Sequence, residues 1–216
     1  MPENVGFGSN KLVICVPGCE TPVSVAWAVN LAGQYWPMHI SREYASQEGS
    51  GQDMDLLRNY SAAYALGTKS KYVWFLKEEI LPPNWAVHRL LEAINSDPSI
   101  MICAAMSETN VPESVEFKDD VLRVFVDENE DKFELLEVMP NNYVGLECTL
   151  VKAELFDKID EPWFKSSELI SSASYLCHKT MEAGFKVTTH TGVLSGYVNS
   201  EGKSIWPAGA VIPQTV

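Results

Sequence analysis

The chain has no Cys-x-x-Cys pair. Its five cysteines, Cys15, Cys19, Cys103, Cys148 and Cys177, are odd in number, and Cys15-x-x-x-Cys19 has no second pair at zinc-site spacing. Cys15, Cys103 and Cys148 fall inside apolar runs. This pattern reads as reduced, mostly buried thiols in a cytoplasmic protein, not as a disulfide framework or a zinc site. No apolar run approaches the roughly 20 residues that a membrane span requires. The opening MPENVGFGSN lacks the basic start and apolar stretch of a signal peptide and reads as a loose leader over residues 1–10. Gly-rich phosphate loops of the G-x-G-x-x-G or P-loop type are missing, which disfavours dinucleotide binding and kinase chemistry. Ser172 has no G-x-S-x-G elbow around it, which disfavours a hydrolase. Positive charge is scarce: 16 Lys and Arg stand against 29 Asp and Glu, a net charge of −13. That balance argues against a general binder of nucleic acid or anionic membranes. With no internal repeat and no low-complexity linker, the 216 residues are expected to form one domain.

What is present is organised around Lys71–Trp85, KYVWFLKEEILPPNW. Tyr72 to Leu76 is a continuous apolar run without alternation, which suits a strand covered on both faces. It runs directly into Lys77, Glu78 and Glu79, after which Pro82 and Pro83 prevent further extension and Asn84 can cap a helix. Charged groups at the carboxyl end of a central parallel strand lie where open α/β sheets bind ligands. A solvated loop leaving the core explains the same three residues equally well.

Taken in order, Lys11–Pro17 predicts a buried strand. A helix follows from Glu20 or Thr21 to about Gln34, with Pro22 in its first turn. Met38–Ile40 is a candidate second strand, and polar Ser41–Asp53 a mobile loop. From Asp53 a helix carries Leu57, Tyr60, Ser61 and Tyr64 and stops at Gly67. After the central strand, Val87, Leu90, Leu91 and Ile94 recur at helix spacing, and Ser99–Met106 is another apolar strand. Strands alternating with amphipathic helices predict an α/β fold with a mostly parallel sheet. The pattern then changes. Val121–Val126 and Lys132–Val138 read as a hairpin closed by Asp127–Asp131, inside an excursion over 113–138. Between Glu113 and Glu137 ten acids face three bases, so more than half of the net charge sits there. The turn has no EF-hand spacing and reads as a solvated acidic hairpin. Tyr143–Val151 predicts a strand, Lys152–Ile159 a short helix, and Ile170, Ala173, Cys177 and Met181 one face of a later helix. Lys186–His190 is a last strand, and residues 191–216 an irregular tail.

In this order the chain resembles the GT-A family of nucleotide-sugar-dependent glycosyltransferases, especially small family-2-like members of bacteria and phages. The likeness runs from about Lys11 to Val198. Its carriers are Val13–Pro17, Leu57-Arg58-Asn59, Phe75–Pro83, Gly145 ahead of a strand–helix step, Pro162-Trp163-Phe164, and Cys177–Val187. None is diagnostic alone. The resemblance implies a GT-A-like, Rossmann-like sheet and a nucleotide-sugar donor. Lys77, Glu78, Glu79, Arg58, Asn59 and Pro17 would be donor-binding residues. A Mn or Mg ion would be held by two carboxylates after the central strand and a late His.

The family's three chemical slots are all altered. The D-x-D slot reads Lys77-Glu78-Glu79, which leaves Glu79 as the metal candidate. The Gly-His slot reads Gly196-Tyr197, and the Glu-Asp pair that supplies the general base reads Ser172-Ala173. If turnover persists, Lys77 would act as a built-in cation beside the diphosphate. Glu168 or His190 would then move the proton. More plainly, Glu168 is a first-turn acid favoured by a helix dipole, and His190 a strand end. His88 and His178 read as helix-surface residues, and His39 has no ligand partner in sequence. The alternative is a catalytically inactive GT-A-like domain that serves as a binding or assembly subunit, its acidic hairpin meeting a basic protein partner.

Overall fold

The computed structural model describes residues 10–16, 24–37, 40–45, 53–107, 115–118, 121–124 and 138–206. The chain begins β1 (Asn10–Cys15), α1 (Val25–Ala32), β2 (Ile40–Ala45), α2 (Met54–Gly67), β3 (Tyr72–Leu76) and β4 (Ile80–Leu81). It continues α3 (Ala86–Ser96), β5 (Ile100–Met106), β6 (Val115–Lys118), β7 (Val121–Val124), β8 (Val138–Pro140) and β9 (Cys148–Lys152). It closes with α4 (Leu155–Lys158), α5 (Ser172–Glu182), β10 (Lys186–Leu194), β11 (Gly196–Val198) and β12 (Ser204–Ile205).

The main sheet has seven strands in the order β2-β1-β3-β9-β5-β10-β8. β1 pairs parallel with β2 and β3, and β10 parallel with β5. β9 runs against both β3 and β5, and β8 against β10. Only β9 and β8 therefore oppose the common direction, and the expected α/β fold with a mostly parallel sheet is what forms. The continuous apolar runs have the reason anticipated for them. Val13, Cys15, Val73 and Phe75 face one core, shared with α2, α4 and α5. Leu12, Ile14, Trp74 and Leu76 face the other, shared with α1 and α3. With helices on both faces, neither parity of the strand can be polar. Each such side chain contributes about 1.5–3 kcal/mol by leaving water.

Several boundaries differ from the sequence reading. Ile40–Ala45 is a strand, where a loop was expected from Ser41. It is an edge strand with one side toward solvent, so charged residues are tolerated; Glu43 meets Lys11 of β1 at 3.2 Å, and Arg42 covers the Trp36 ring at 4.7 Å. α1 starts later than expected, capped by Ser24, whose hydroxyl accepts the Trp27 N–H. α3 is preceded by Trp85 without a side-chain cap, while the Asn84 carbonyl accepts the Tyr35 N–H. Within the excursion, a pairing that was not expected is present. β6 pairs antiparallel with β7, with only Asp119 and Asp120 between them in sequence. Val138, assigned above to the hairpin, pairs with His190 of β10 instead. Residues 125–137, with the expected acidic turn, lie outside the described residues. The strand expected from Tyr143 begins at Cys148, because Thr149 turns its hydroxyl back on the Gly145 carbonyl and 143–147 stays irregular. Finally, the expected tail is ordered structure up to 206: β10 extends to Leu194, and β11 joins β12 and β4 in a small three-stranded sheet. Gly196 permits this, since a Cβ there would lie 2.6 Å from the Ile205 carbonyl and 2.7 Å from the Trp206 ring.

Candidate functional site

The site grows from the end of β3. Pairing of Leu76 with Cys148 sets the start of β9 beside the end of β3, so Gly145–Glu147 arrive where Lys77 departs. Lys77–Ile80 is then a closed turn, the Ile80 N–H donating to the Lys77 carbonyl at 3.0 Å. Three other elements hold it. Lys77 N–H donates to the Glu147 carbonyl at 2.8 Å, Trp27 Nε1 of α1 donates to the Lys77 carbonyl at 3.1 Å, and Val198 N–H donates to the Glu79 carbonyl at 2.7 Å. The charged trio is thus a fixed turn, not a loop drifting from the core. It also lies beside the Gly196-Tyr197 segment, since Tyr197 pairs with Ile80.

Lys77 and Arg58 line one cleft of about 250 Å³, together with Tyr143, Glu147 and Ser171. Arg58 comes from the second turn of α2, a helix opened by Asp53, which accepts the N–H groups of Asp55 and Leu56 at 3.0 Å. Its Nη1 donates to Ser172 Oγ at the start of α5. Its Nε is buried and has no partner among the described residues. Burial lowers the Arg58 pKa, opposed by Cys15, Asp55, Tyr143 and Glu147, yet a guanidinium stays charged at any physiological pH. Lys77 is driven the other way. Its pKa is raised first by the hydrogen bond to Glu79, against some desolvation, with Glu79, Glu147 and Glu78 adding attraction. The Lys77–Glu79 pair closes at 2.7 Å with both side chains roughly half exposed, so it stabilises the fold little. Its effect is to fix where the ammonium stands.

The other expected site residues are dispersed. Asn59 sits next to Arg58 in sequence but turns its amide elsewhere. Nδ2 donates to the Asp55 and Phe164 carbonyls, and Oδ1 accepts the N–H groups of Trp163 and Phe164. It clamps the Pro162-Trp163-Phe164 turn to α2 and borders a separate cleft with Tyr60 and Trp163. Glu168 is exposed on the segment before α5, and His190 is buried in β10, its Nδ1 accepting the Gly192 N–H at 3.2 Å. Neither lines the cleft with Lys77. Pro17 lies outside the described residues. Sequence reasoning missed Tyr143, Glu147 and Ser171. Ser171 carried a signal, since it caps α5 by accepting the Ser174 N–H. Glu147 carried one too, as the charged residue that interrupts the apolar approach to β9.

The donor set does not fit a divalent ion. Among the described residues, no three His, Cys, Asp or Glu side chains gather where they could share one. Glu79 has an ammonium on Oε2, and Tyr197 offers a phenol oxygen in place of an imidazole nitrogen.

The fold has structural parallels. The protein A197 from STIV matches 95% of this chain over 97% of its own, with 13% identity and a TM-score of 0.52. GalNAc-T7, solved with UDP, GalNAc and Mn2+, matches 87% of this chain at 10% identity and a TM-score of 0.55. This chain spans 43% of the length of that GalNAc-T7 chain. No family model matches the sequence, and no curated protein does. At these identities the likeness establishes the fold, which is GT-A-like. No helix among the described residues is long and apolar enough to cross a membrane.

Proposed function

We propose that the cleft is the diphosphate end of a nucleotide-sugar site, and that Lys77 and Arg58 take the charge-neutralising part that a divalent ion plays in GT-A enzymes. The observation that carries this is the convergence of two cations, from the end of β3 and from α2, on one cleft at the carboxyl end of the sheet. At about 250 Å³ the cleft admits a sugar or a diphosphate, but not a whole nucleotide-sugar. In glycosyl transfer the bond from the anomeric carbon to the diphosphate oxygen breaks, and negative charge grows on the leaving group. Donors fixed beside that oxygen stabilise the developing charge without reorganising. Arg58 Nε, buried and without a partner among the described residues, is a donor of this kind. The parallel with a GalNAc-T7 solved with UDP and GalNAc supports a nucleotide-sugar as the ligand class.

One observation favours a second reading, a domain that binds nucleotide diphosphate without turnover and works as an assembly subunit. The slot for the general base holds Ser172, whose hydroxyl accepts from Arg58. The basic protein partner envisaged for the acidic excursion belongs to this reading.

Calorimetry with UDP and GDP, with chelator and with manganese, tests both. Binding is expected without metal and to weaken about tenfold in Lys77→Ala, the loss of one ammonium–phosphate attraction. Tight binding by the wild type that requires manganese would overturn the proposal. Sugar transfer from a donor that binds then separates the enzyme from the non-catalytic domain.

A further inference from the structure

A larger cavity opens at the opposite end of the sheet, where β3 begins and β9 ends. It has a volume of about 620 Å³ and is walled by three lysines, Lys69, Lys71 and Lys152, with Ser70 and Tyr72 between them. Backbone geometry sets the three in place. Lys69 leaves α2 in the left-handed region at φ 55°, which turns the chain sharply toward β3. Lys71 and Lys152 stand one position out of register at the ends of neighbouring strands, since the Ala153 N–H donates to the Lys71 carbonyl at 2.9 Å and Tyr72 pairs with Lys152.

The cavity wall also carries Glu154 and Asp157, yet neither closes on one of these lysines. Among the described residues none of the three ammonium groups forms an ion pair. Lys152 is only 8% exposed, and its Nζ has two long contacts, at 3.5 Å, to the Asp97 and Pro98 carbonyls. Burial accordingly lowers its pKa. Of the carboxylates nearby, Asp157 lines the same cavity without an ion pair to these lysines, and two others are engaged elsewhere. Asp97 meets Lys186 at 2.7 Å and also accepts from Ser99, while Glu154 meets Lys158 at 3.0 Å. In a chain of net charge −13, three lysines on one cavity wall, without an ion pair among the described residues and one of them buried, are not a by-product of a basic surface. A buried ammonium without a counter-ion is costly. A multiply charged anion in the cavity would satisfy it with charge-assisted hydrogen bonds.

We infer that this cavity is a second anion site, which takes a phosphate group, free or as a phosphoester on a small molecule, through Lys69, Lys71 and Lys152. It stands apart from the cleft at Lys77 and does not depend on what that cleft binds. Lys69 and Lys71, both exposed, would meet the anion as it enters, and Lys152 would hold it from below.

The test is an amide-resolved NMR titration of the full chain with inorganic phosphate and, separately, with a sugar phosphate. Saturable shifts are expected at Ser70, Lys71, Tyr72 and Ala153. Charge reversal at the exposed positions, Lys69→Glu with Lys71→Glu, should weaken binding about tenfold or more while leaving the fold intact. Lys152→Gln should weaken it too; if that variant fails to fold, the exposed pair still decides the question. Lys203→Glu, at an exposed lysine of the small sheet, should leave the affinity unchanged. Tighter binding of the sugar phosphate marks an organic phosphoester as the ligand, and equal affinity marks free phosphate. Absence of saturable shifts at these amides at millimolar phosphate overturns the inference, as does binding that survives the double charge reversal.

Discussion

The Lys77 ammonium lies 2.7 Å from Glu79 Oε2, across a turn whose ends are fixed by β3 and β4. The position that the GT-A resemblance gives to the first carboxylate of a metal-binding pair thus holds a cation, and that cation is paired with Glu79. The consequence is testable. An ion brought to Glu79 would displace the ammonium and then be repelled by it, by about 1 kcal/mol at 4 Å in water and several times more where solvent is partly excluded. Lys77→Asp removes that repulsion and supplies a second carboxylate. Manganese-dependent binding of UDP or GDP is expected to be weak in the wild type and stronger in Lys77→Asp. Calorimetry on both proteins measures it, and weaker manganese-dependent binding by the variant would show that Lys77 belongs to a working metal site.

Gly196 places the backbone of β11 against Trp206, with room for no side chain. Gly196→Ala sets a methyl 2.6 Å from the Ile205 carbonyl, an atom that cannot move aside like a flexible side chain. The small sheet must shift, at a cost of about 1–3 kcal/mol. Urea unfolding should show the loss as a lower midpoint. Because Val198 fastens Glu79, affinity for the nucleotide diphosphate should fall as well. An unchanged midpoint would mean that β12 and Trp206 move freely.

Asn59 makes four hydrogen bonds, three of them to Trp163 and Phe164. Asn59→Ala leaves two N–H groups and one carbonyl of that turn without partners. Phe164 is fully buried, packed edge-on to Phe75 of β3 at 5.4 Å. A loss of about 2–4 kcal/mol in unfolding free energy is expected. Since its amide is spent in this way, Asn59 should affect nucleotide affinity only through stability. A variant that stays fully stable but loses affinity would assign Asn59 to the ligand instead.

The parts of this fold that were legible in the sequence are those that a single segment determines. Tyr72–Leu76 must be a central strand because five consecutive apolar residues have no polar face to give to solvent. α2 begins at Met54 because Asp53 caps it. What could not be read depends on pairing between distant segments. Nothing local to Ile80-Leu81 marks a strand, and it becomes one only because Gly196-Tyr197 lies beside it. β9 reads alike in either direction, as its five residues are all buried. The candidate site divides in the same manner. Lys77 was visible as the first charge after an apolar strand, and Arg58 through the Leu57-Arg58-Asn59 likeness to GT-A enzymes. Ser172 as the partner of Arg58, 114 residues away, was not, and neither was the use of Asn59 as a clamp. Local spacing places Arg58 and Asn59 together, and only the packed helix shows that they face different clefts.

Cys103 and Cys148 sit fully buried in adjoining strands, and burial pushes their thiols up to about 12. Cys15 and Cys177 are pushed up to about 11, again chiefly by desolvation. Two results follow. The four thiols should resist alkylation in the native protein at neutral pH, since the thiolate is the reactive form, and should label on unfolding. Peptide mapping distinguishes them from Cys19. The second result is a pH dependence of stability. An unfolded thiol loses its proton near its ordinary value of 9.0, whereas the folded one keeps it to about 11 or 12. Between these limits the native state binds more protons than the unfolded chain, so stability must fall as pH rises. The thiols' contribution is fully present below about 9 and lost progressively above it. Denaturant titrations from neutral pH upward should show the decline, and Cys148→Ala should make it shallower while lowering stability at neutral pH. A slope unaltered by the substitution would mean that the Cys148 thiol ionises in the folded protein as readily as in the unfolded chain.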